Sequence, residues 1–319
     1  MLAFLAALVS CRVLLAPRVA GLLLDHPNER SLHARPVPRT GGVALMIGLA
    51  LAAAWIGYFP AWLALALALA AVSFVDDAKA LPVLVRLACH LGAAVAMIAF
   101  LPITLAWPLA ALFVLGTVWM TNLYNFMDGS DGLAGGMTLV GFACYGAAAW
   151  IGGERDLALV SFSAAAAALG FLVFNWPPAR VFLGDSGSIP LGFLAAAVGL
   201  VGWRVHALWP WWFPAVVFSP FAVDATVTLA RRAARREPVW RAHREHYYQR
   251  LVQLGWGHRG AALAEYALML ACAALALALR EASTRAQLAG LAALAVAYVV
   301  LMLLVDRAWR ARTREPGRA

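Results

Sequence analysis

The chain has 319 residues, 64% of them hydrophobic and only 13% charged, with a net charge of +9 and a mean hydropathy of +0.79. A soluble domain runs near half apolar and about a quarter charged, so these values exclude a water-soluble enzyme and predict an integral membrane protein. No segment is polar and long enough to fold separately, and residues 1–319 read as one membrane domain.

A membrane-crossing helix needs roughly 20 predominantly apolar residues. In chain order the segments that qualify are 2–23, 41–58, 61–75, 84–101, 105–121, 136–151, 157–174, 188–203, 208–229, 261–279 and 286–305. Alanine and leucine dominate them, while Gly and Pro cluster between, which favours helices over a barrel. The predicted fold is therefore all-α, a polytopic membrane protein of about 10–11 transmembrane helices. Arg12, Pro17 and Arg18 interrupt the first stretch and no A-x-A exit follows, so it reads as a retained span rather than a secretory signal. Cys11, Cys89, Cys144 and Cys272 lie in apolar stretches without C-x-x-C spacing and read as small core residues.

Alternation of these spans divides the connections into two sets. One holds 24–40, 76–83, 122–135, 175–187, 230–260 and the tail from 306; the other holds only short links. Of the 25 Lys and Arg residues, Arg155, Arg204, Arg280 and Arg285 fall in or beside the second set, and Arg12 lies within a span. The rest belong to the first set and its margins, which the positive-inside rule makes cytoplasmic. The +9 charge thus reflects topology and an anionic leaflet or substrate, and needs no nucleic acid.

Three aspartate-rich cassettes fall in the cytoplasmic set: SFVDDAKALP (73–82), NLYNFMDGSDGLAGG (122–136) and NWPPARVFLGDSGS (175–188). Carboxylates near a bilayer are costly and mark function. Asp76 and Asp77 are adjacent, so on a helix they diverge by about 100° and cannot both turn from a shared cavity. Their repulsion is best relieved by a cation, and Arg86 is available to an anion. Asn122, Asn125, Asp128 and Asp131 recur every three residues, and their hard oxygens suit Mg²⁺ bridging substrate phosphates. Gly129 and Gly132 are expected to let a phosphate approach the backbone. Asp185 opens the next span, whose N-terminus is an expected anion site, and Phe182 is placed to stack on a base. The loop 231–259 is basic and histidine-bearing; His243 and His246, amid arginines, suit phosphate oxygens better than zinc.

In order, D-x-P-N-x-R-x-x-H…P-R-x-G-G, D-D, N-x-x-N-x-x-D-G-x-D-G-L-A, an F-N-x-x-P-A-like segment and G-D-x-G-S run through nearly the whole chain. This set resembles the polyprenyl-phosphate N-acetylhexosamine-1-phosphate transferases, the glycosyltransferase 4 family that includes the phospho-MurNAc-pentapeptide translocase. NWPPAR departs by its extra proline, and HREHYYQRL departs from the triple-histidine motif of the peptidoglycan enzyme toward the O-antigen branch. The resemblance implies transfer of a sugar-1-phosphate from a UDP-N-acetylhexosamine to a polyprenyl phosphate, releasing UMP and initiating cell-envelope glycan synthesis. It implies that Asn125 and Asp185 bind Mg²⁺, with Mn²⁺ as the alternative ion. Asp131, Asn175 and Phe182 would hold uridine, while His243, Arg244 and His246 would grip the diphosphate or sugar. Arg39 of the P-R-x-G-G segment would also contact substrate. Asp76 and Asp77 would serve the lipid phosphate, with Asp128 supporting them.

Short connections and high Arg and Ala content point to a bacterial inner membrane and to undecaprenyl phosphate as acceptor. The late spans leave room for a homodimer. The competing reading, a transporter of an anionic solute, predicts charges at mid-span; the span interiors hold almost none apart from Arg12 and Asp224, the latter near the cytoplasmic rim.

Overall fold

The computed structural model describes residues 1–21, 23–27, 35–239 and 243–314. Asn28, Arg30, His33 and Arg241, all part of the motifs above, lie outside the described residues.

The order of elements follows the apolar segments. Helix α1 (Leu2–Leu14) and a short α2 (Pro17–Ala20) precede a two-residue antiparallel ladder of β1 (Leu24–Asp25) and β2 (Val37–Pro38). Then come α3 (Gly41–Ile56), α4 (Ala61–Lys79), α5 (Val83–Ala99), α6 (Trp107–Phe126), α7 (Leu133–Ile151), α8 (Arg155–Asn175) and α9 (Asp185–Leu200). A π-turn at Val201–Val205 leads to α10 (Phe213–Val217) and α11 (Ser219–Ala234). The chain continues through α12 (Tyr247–Leu251), α13 (Gly257–Leu279) and α14 (Thr284–Arg314). Among the described residues, seven helical runs are long and apolar enough to cross a membrane, and α1, α3 and α5 are shorter apolar helices. The protein is an all-α polytopic membrane protein.

Prolines set several boundaries, because they donate no backbone N–H and favour the first helical turn. Pro60 and Pro82 stand immediately before α4 and α5, and Pro108 lies in the first turn of α6. The first expected span, 2–23, ends early for the same reason, since Pro17 breaks it after Leu14. The expected span 208–229 is also not continuous. Pro214 and Pro220 start α10 and α11 separately, and α11 is amphipathic and carries Arg231 and Arg232 in its last turn. The basic loop expected over 231–259 shortens at both ends, because α11 runs to Ala234 and α12 begins at Tyr247.

The core forms where α9 lies between α4 and α6, with α7 and α8 paired beside it and α1 packed on α3 and α8. Small residues permit that closeness, as expected where lipid removes the hydrophobic drive between helices. Gly42 is the clearest case: a Cβ there would sit 2.2 Å from the Gly187 backbone nitrogen. The segment before α3 also zips to the segment before α9, with Phe182 N–H donating to Pro38 O (2.7 Å), Gly41 N–H to Phe182 O (2.9 Å) and Gly42 N–H to Leu183 O (2.8 Å). This seam places the C-terminal end of α4, the C-terminal end of α6 and the N-terminal end of α9 at one point.

Candidate active site

The two adjacent carboxylates of α4 diverge as a helix requires. Asp76, buried, accepts the Leu81 N–H at 2.6 Å and pairs with Arg86 at 3.3 Å. Asp77 points the other way, toward the turn that opens α9. Its Oδ2 accepts the Ser186 N–H at 3.2 Å, and its Oδ1 lies 3.7 Å from the Arg39 guanidinium. Gly184 has φ +71°, and a Cβ there would meet the Arg39 carbonyl at 2.7 Å and Asp77 Oδ2 at 3.1 Å, so this approach requires glycine.

From α6, the Asn125 amide donates to Asp185 Oδ1 at 2.8 Å and to Ser188 Oγ at 2.9 Å. Three cassettes far apart in sequence thus form a chain of direct bonds: Asp77 to the α9 turn, and the α9 turn to Asn125. Asp128 sits half-buried in the loop after α6. Its carboxyl is pushed well above the usual range by burial, and further by the charges of Asp185, Asp77, Asp25 and Asp131.

These donors suit a hard dication. Asp185 offers carboxylate oxygens at the place where the Asn125 amide meets it, and a bound cation would relieve the accumulated negative charge. Ser186 Oγ, next to Asp185, is fully buried without a partner. Among the described residues no group of three or more His, Cys, Asp or Glu side chains is arranged to hold a metal. An ion held by one or two carboxylates, with water and phosphate completing the shell, fits the habit of Mg²⁺.

A cleft of about 590 Å³ opens beside this point. Asp76, Asn125 and Asp185, with His243, His246 and Gln249, give it a polar lining, and Leu69, Val72, Leu87, Ile189 and Leu229 give it an apolar wall. The histidine rim is held from behind by Asp224 on α11. That buried carboxylate accepts the backbone N–H groups of Tyr247 (2.9 Å) and Tyr248 (3.1 Å) and the Thr228 hydroxyl (3.0 Å), and it lies 3.2 Å from His246 Nδ1. The rings of His243 and His246 are 4.8 Å apart. Burial, then His246 and Arg232, bring His243 down to about 4, so its imidazole is neutral at neutral pH and acts through hydrogen bonds rather than charge. Arg244 is exposed. Glu245 ties the loop to α11 through ion pairs with Arg232 and Arg235.

Other residues singled out from the sequence have structural occupations. Asn175 spends its side chain within the fold: Oδ1 accepts the Gly132 N–H (2.9 Å) and Nδ2 donates to Val181 O (2.8 Å). Asp131 accepts the Ala179 N–H (2.9 Å) and stands 3.7 Å from His258 Nδ1. Both clamp the second cassette to the third. Phe182 is half-buried in the seam with β2. Gly129 is exposed, whereas Gly132 does not form the open phosphate approach expected of it. The Tyr248 hydroxyl stands 2.2 Å from where a Cβ on Gly129 would lie, so only glycine fits there, and Gly132 is buried beside Tyr266, whose hydroxyl donates to its carbonyl at 2.7 Å. The α9 N-terminus is likewise filled, because Asp77 and the Gly184 carbonyl take its first N–H groups. His258 and the positioning role of Asp224 carry no local sequence signal; a lone Asp near the end of an apolar run was the one hint of the second.

The family profile described as glycosyl transferase family 4 matches residues 59–202, which span the three cassettes. The chain is 28% identical to the probable undecaprenyl-phosphate N-acetylglucosaminyl 1-phosphate transferase of Bacillus subtilis (strain 168), over 82% of this chain and 78% of that protein. It is 29% identical to the decaprenyl-phosphate N-acetylglucosaminephosphotransferase of Mycolicibacterium smegmatis, over 76% and 71%. A shorter stretch, 29% of this chain and 28% of the other, is 40% identical to the phospho-N-acetylmuramoyl-pentapeptide-transferase of Levilactobacillus brevis. The three motif cassettes joined in one site on a polytopic helical frame thus lie within the stretch, residues 59–202, that is similar to glycosyl transferase family 4.

Proposed function

We propose that this protein transfers N-acetylhexosamine-1-phosphate from a UDP-sugar to a polyprenyl phosphate at the cytoplasmic face of the membrane, releasing UMP. The observation that carries this reading is a single cleft that joins an acidic, cation-suited point to an apolar wall. A substrate with a phosphate head and a long hydrocarbon tail matches both parts. The names of the relatives, which act on undecaprenyl or decaprenyl phosphate, support the same acceptor class.

A phosphate monoester has its second pKa near 6, so the acceptor is mostly dianionic at neutral pH and needs little help from a base. One of its oxygens attacks the β-phosphorus of the donor; the bond from that phosphorus to the UMP oxygen breaks, and UMP leaves with the electron pair. Two dianions enter and two leave, so no net proton is consumed. When bound, Mg²⁺ would neutralise the donor diphosphate and the departing UMP. Asn125 and Asp185 would hold it. Arg86, already paired with Asp76, orients the acceptor phosphate, and Asp76 takes any residual proton. Asp77 acts by fixing Arg39 and the α9 turn against each other. Asp128 supports the ion site as a polar partner, and neutral His243 binds the diphosphate or sugar by hydrogen bonding, with His246 beside it and Arg244 at the rim. Asp131, Asn175 and Phe182 would stand on the uridine side, the first two bracing the second cassette against the third. A two-step scheme through an aspartyl phosphate would also balance, and its signature is UMP release without lipid.

The test is UMP release by purified protein with polyprenyl phosphate and Mg²⁺ across a panel of UDP-N-acetylhexosamines, with EDTA controls. Acceptor-dependent, EDTA-sensitive release from one donor supports the reading and identifies the sugar. Absence of both release and UDP-sugar binding by folded protein removes it.

A further inference from the structure

The last helix, α14, has an apolar surface that is largely open: Leu288 and Val296 are each 63% exposed. Beside the packing of Leu291 and Leu294 on the core, its polar ties to the rest of the protein occur at three heights. The Trp212 indole N–H donates to Gln287 Oε1 at 3.3 Å, and the Tyr298 and Ser219 hydroxyls are hydrogen-bonded at 2.7 Å. Near the cytoplasmic end, Asp306 Oδ2 accepts from Arg231 at 2.7 Å and from the Tyr247 hydroxyl at 3.4 Å, while Oδ1 accepts from Arg250 at 2.9 Å. Asp306 and Arg250 are both buried, and the Arg250 guanidinium lies over the rings of Tyr247 (5.2 Å) and Trp309 (5.7 Å).

This one carboxylate therefore joins three helices. Arg231 belongs to α11, the helix whose Asp224 caps Tyr247 and Tyr248; Arg250 belongs to α12, which carries Gln249 and follows His246. Removing the negative charge leaves the buried Arg250 guanidinium with only the more distant Glu245 carboxylate, 3.9 Å away, and sets it against the partly exposed Arg231, an arrangement that is unfavourable for a buried charge. The two guanidiniums would separate, and α12 would shift relative to α11.

We propose that Asp306 is a positioning residue: by holding Arg231 and Arg250 together it sets the place of the His243–Gln249 rim over the cleft, although it does not reach the cleft itself. Only the kinetic consequence rests on the transferase reading above. The rim faces the polar end of the cleft, so its displacement weakens use of the UDP-sugar more than entry of the lipid.

The experiment compares wild type with Asp306→Asn, which keeps shape and loses charge, and Asp306→Glu, which keeps charge. Two readouts are taken on the full-length protein: steady-state kinetics for each substrate, and hydrogen–deuterium exchange by peptide. For Asp306→Asn, kcat/KM for the UDP-sugar falls about 10- to 100-fold, the range that a displacement near 1 Å produces, and the acceptor KM stays unchanged. Exchange rises over residues 246–251 and stays unchanged over α7 and α8. Asp306→Glu recovers both readouts substantially. Unchanged exchange over 246–251, normal kinetics despite faster exchange, or a uniform rise along the whole chain each overturn the proposal. A wild type that transfers nothing would defeat the transferase reading instead, and the exchange data would still decide whether Asp306 holds the rim.

Discussion

Replacing Gly42 by alanine tests whether the backbone seam between α3 and α9 sets the catalytic geometry. The added Cβ would lie 2.2 Å from the Gly187 nitrogen, 2.4 Å from its Cα and 2.6 Å from the Leu183 carbonyl oxygen, whereas ordinary contact begins near 3.4 Å. All three atoms are backbone, so no side chain can swing aside, and the start of α9 must move away by more than about 1 Å, the shortfall from ordinary contact. Asp185 is the first residue of α9 and moves with it. Its 2.8 Å bond to Asn125 then stretches past useful hydrogen-bonding range. A displacement near 1 Å at reacting groups costs about 100-fold in rate, or ~2.7 kcal/mol in barrier. The assay is acceptor-dependent UMP release from protein that elutes as a single folded species. Gly92→Ala serves as the control, because nothing lies within 4 Å of a Cβ on that residue of α5. A Gly42→Ala enzyme within about threefold of wild type, where a 1 Å shift would cost far more, would refute the reasoning.

Other outcomes follow from the same geometry. Asp185→Ala and Asp77→Ala each lower turnover by at least about 10²–10³-fold, as loss of a transition-state electrostatic group does, while the protein remains inserted; an active Asp185→Ala enzyme would overturn the metal assignment. Asp224→Ala leaves the Tyr247 and Tyr248 N–H groups without their acceptor, costing about 1–3 kcal/mol, read as a lower unfolding midpoint in detergent. His243 is held at about 4 against an ordinary ~6.5, so within that window the unfolded chain takes up a proton that the folded protein refuses. The stability this imidazole contributes above 6.5 is lost as pH falls toward 4. His243→Asn therefore loses less stability than wild type between pH 7 and pH 5, and an identical pH response in the two proteins would contradict the neutral assignment.

The place of the site was legible because lipid penalises polar side chains. Carboxylates at the ends of apolar runs had to be grouped, and Asp76, Asp77, Asn125 and Asp185 do gather. The uses of individual groups were less legible, since they depend on partners distant in sequence. Nothing near Gly132 announces that Tyr266 will pack against it, and nothing near α9 announces that Asp77 will fill its N-terminus. Asn175 has the composition of a ligand, but both ends of its amide bond the backbone. The break within 208–229 is written in the sequence as Pro214 and Pro220, but the high hydropathy of the whole stretch masks it.

The central claim is that a lipid phosphate attacks the β-phosphorus of a UDP-sugar in the cleft between α4, α6 and α9. It is tested most directly by supplying a UDP-N-acetylhexosamine labelled with ³²P at the β-phosphorus, together with polyprenyl phosphate and Mg²⁺. The account predicts that the label moves into the organic-extractable lipid while an equal amount of unlabelled UMP appears, and that no UMP forms without the lipid. Label retained in water-soluble products, with the protein folded and the lipid present, would contradict it.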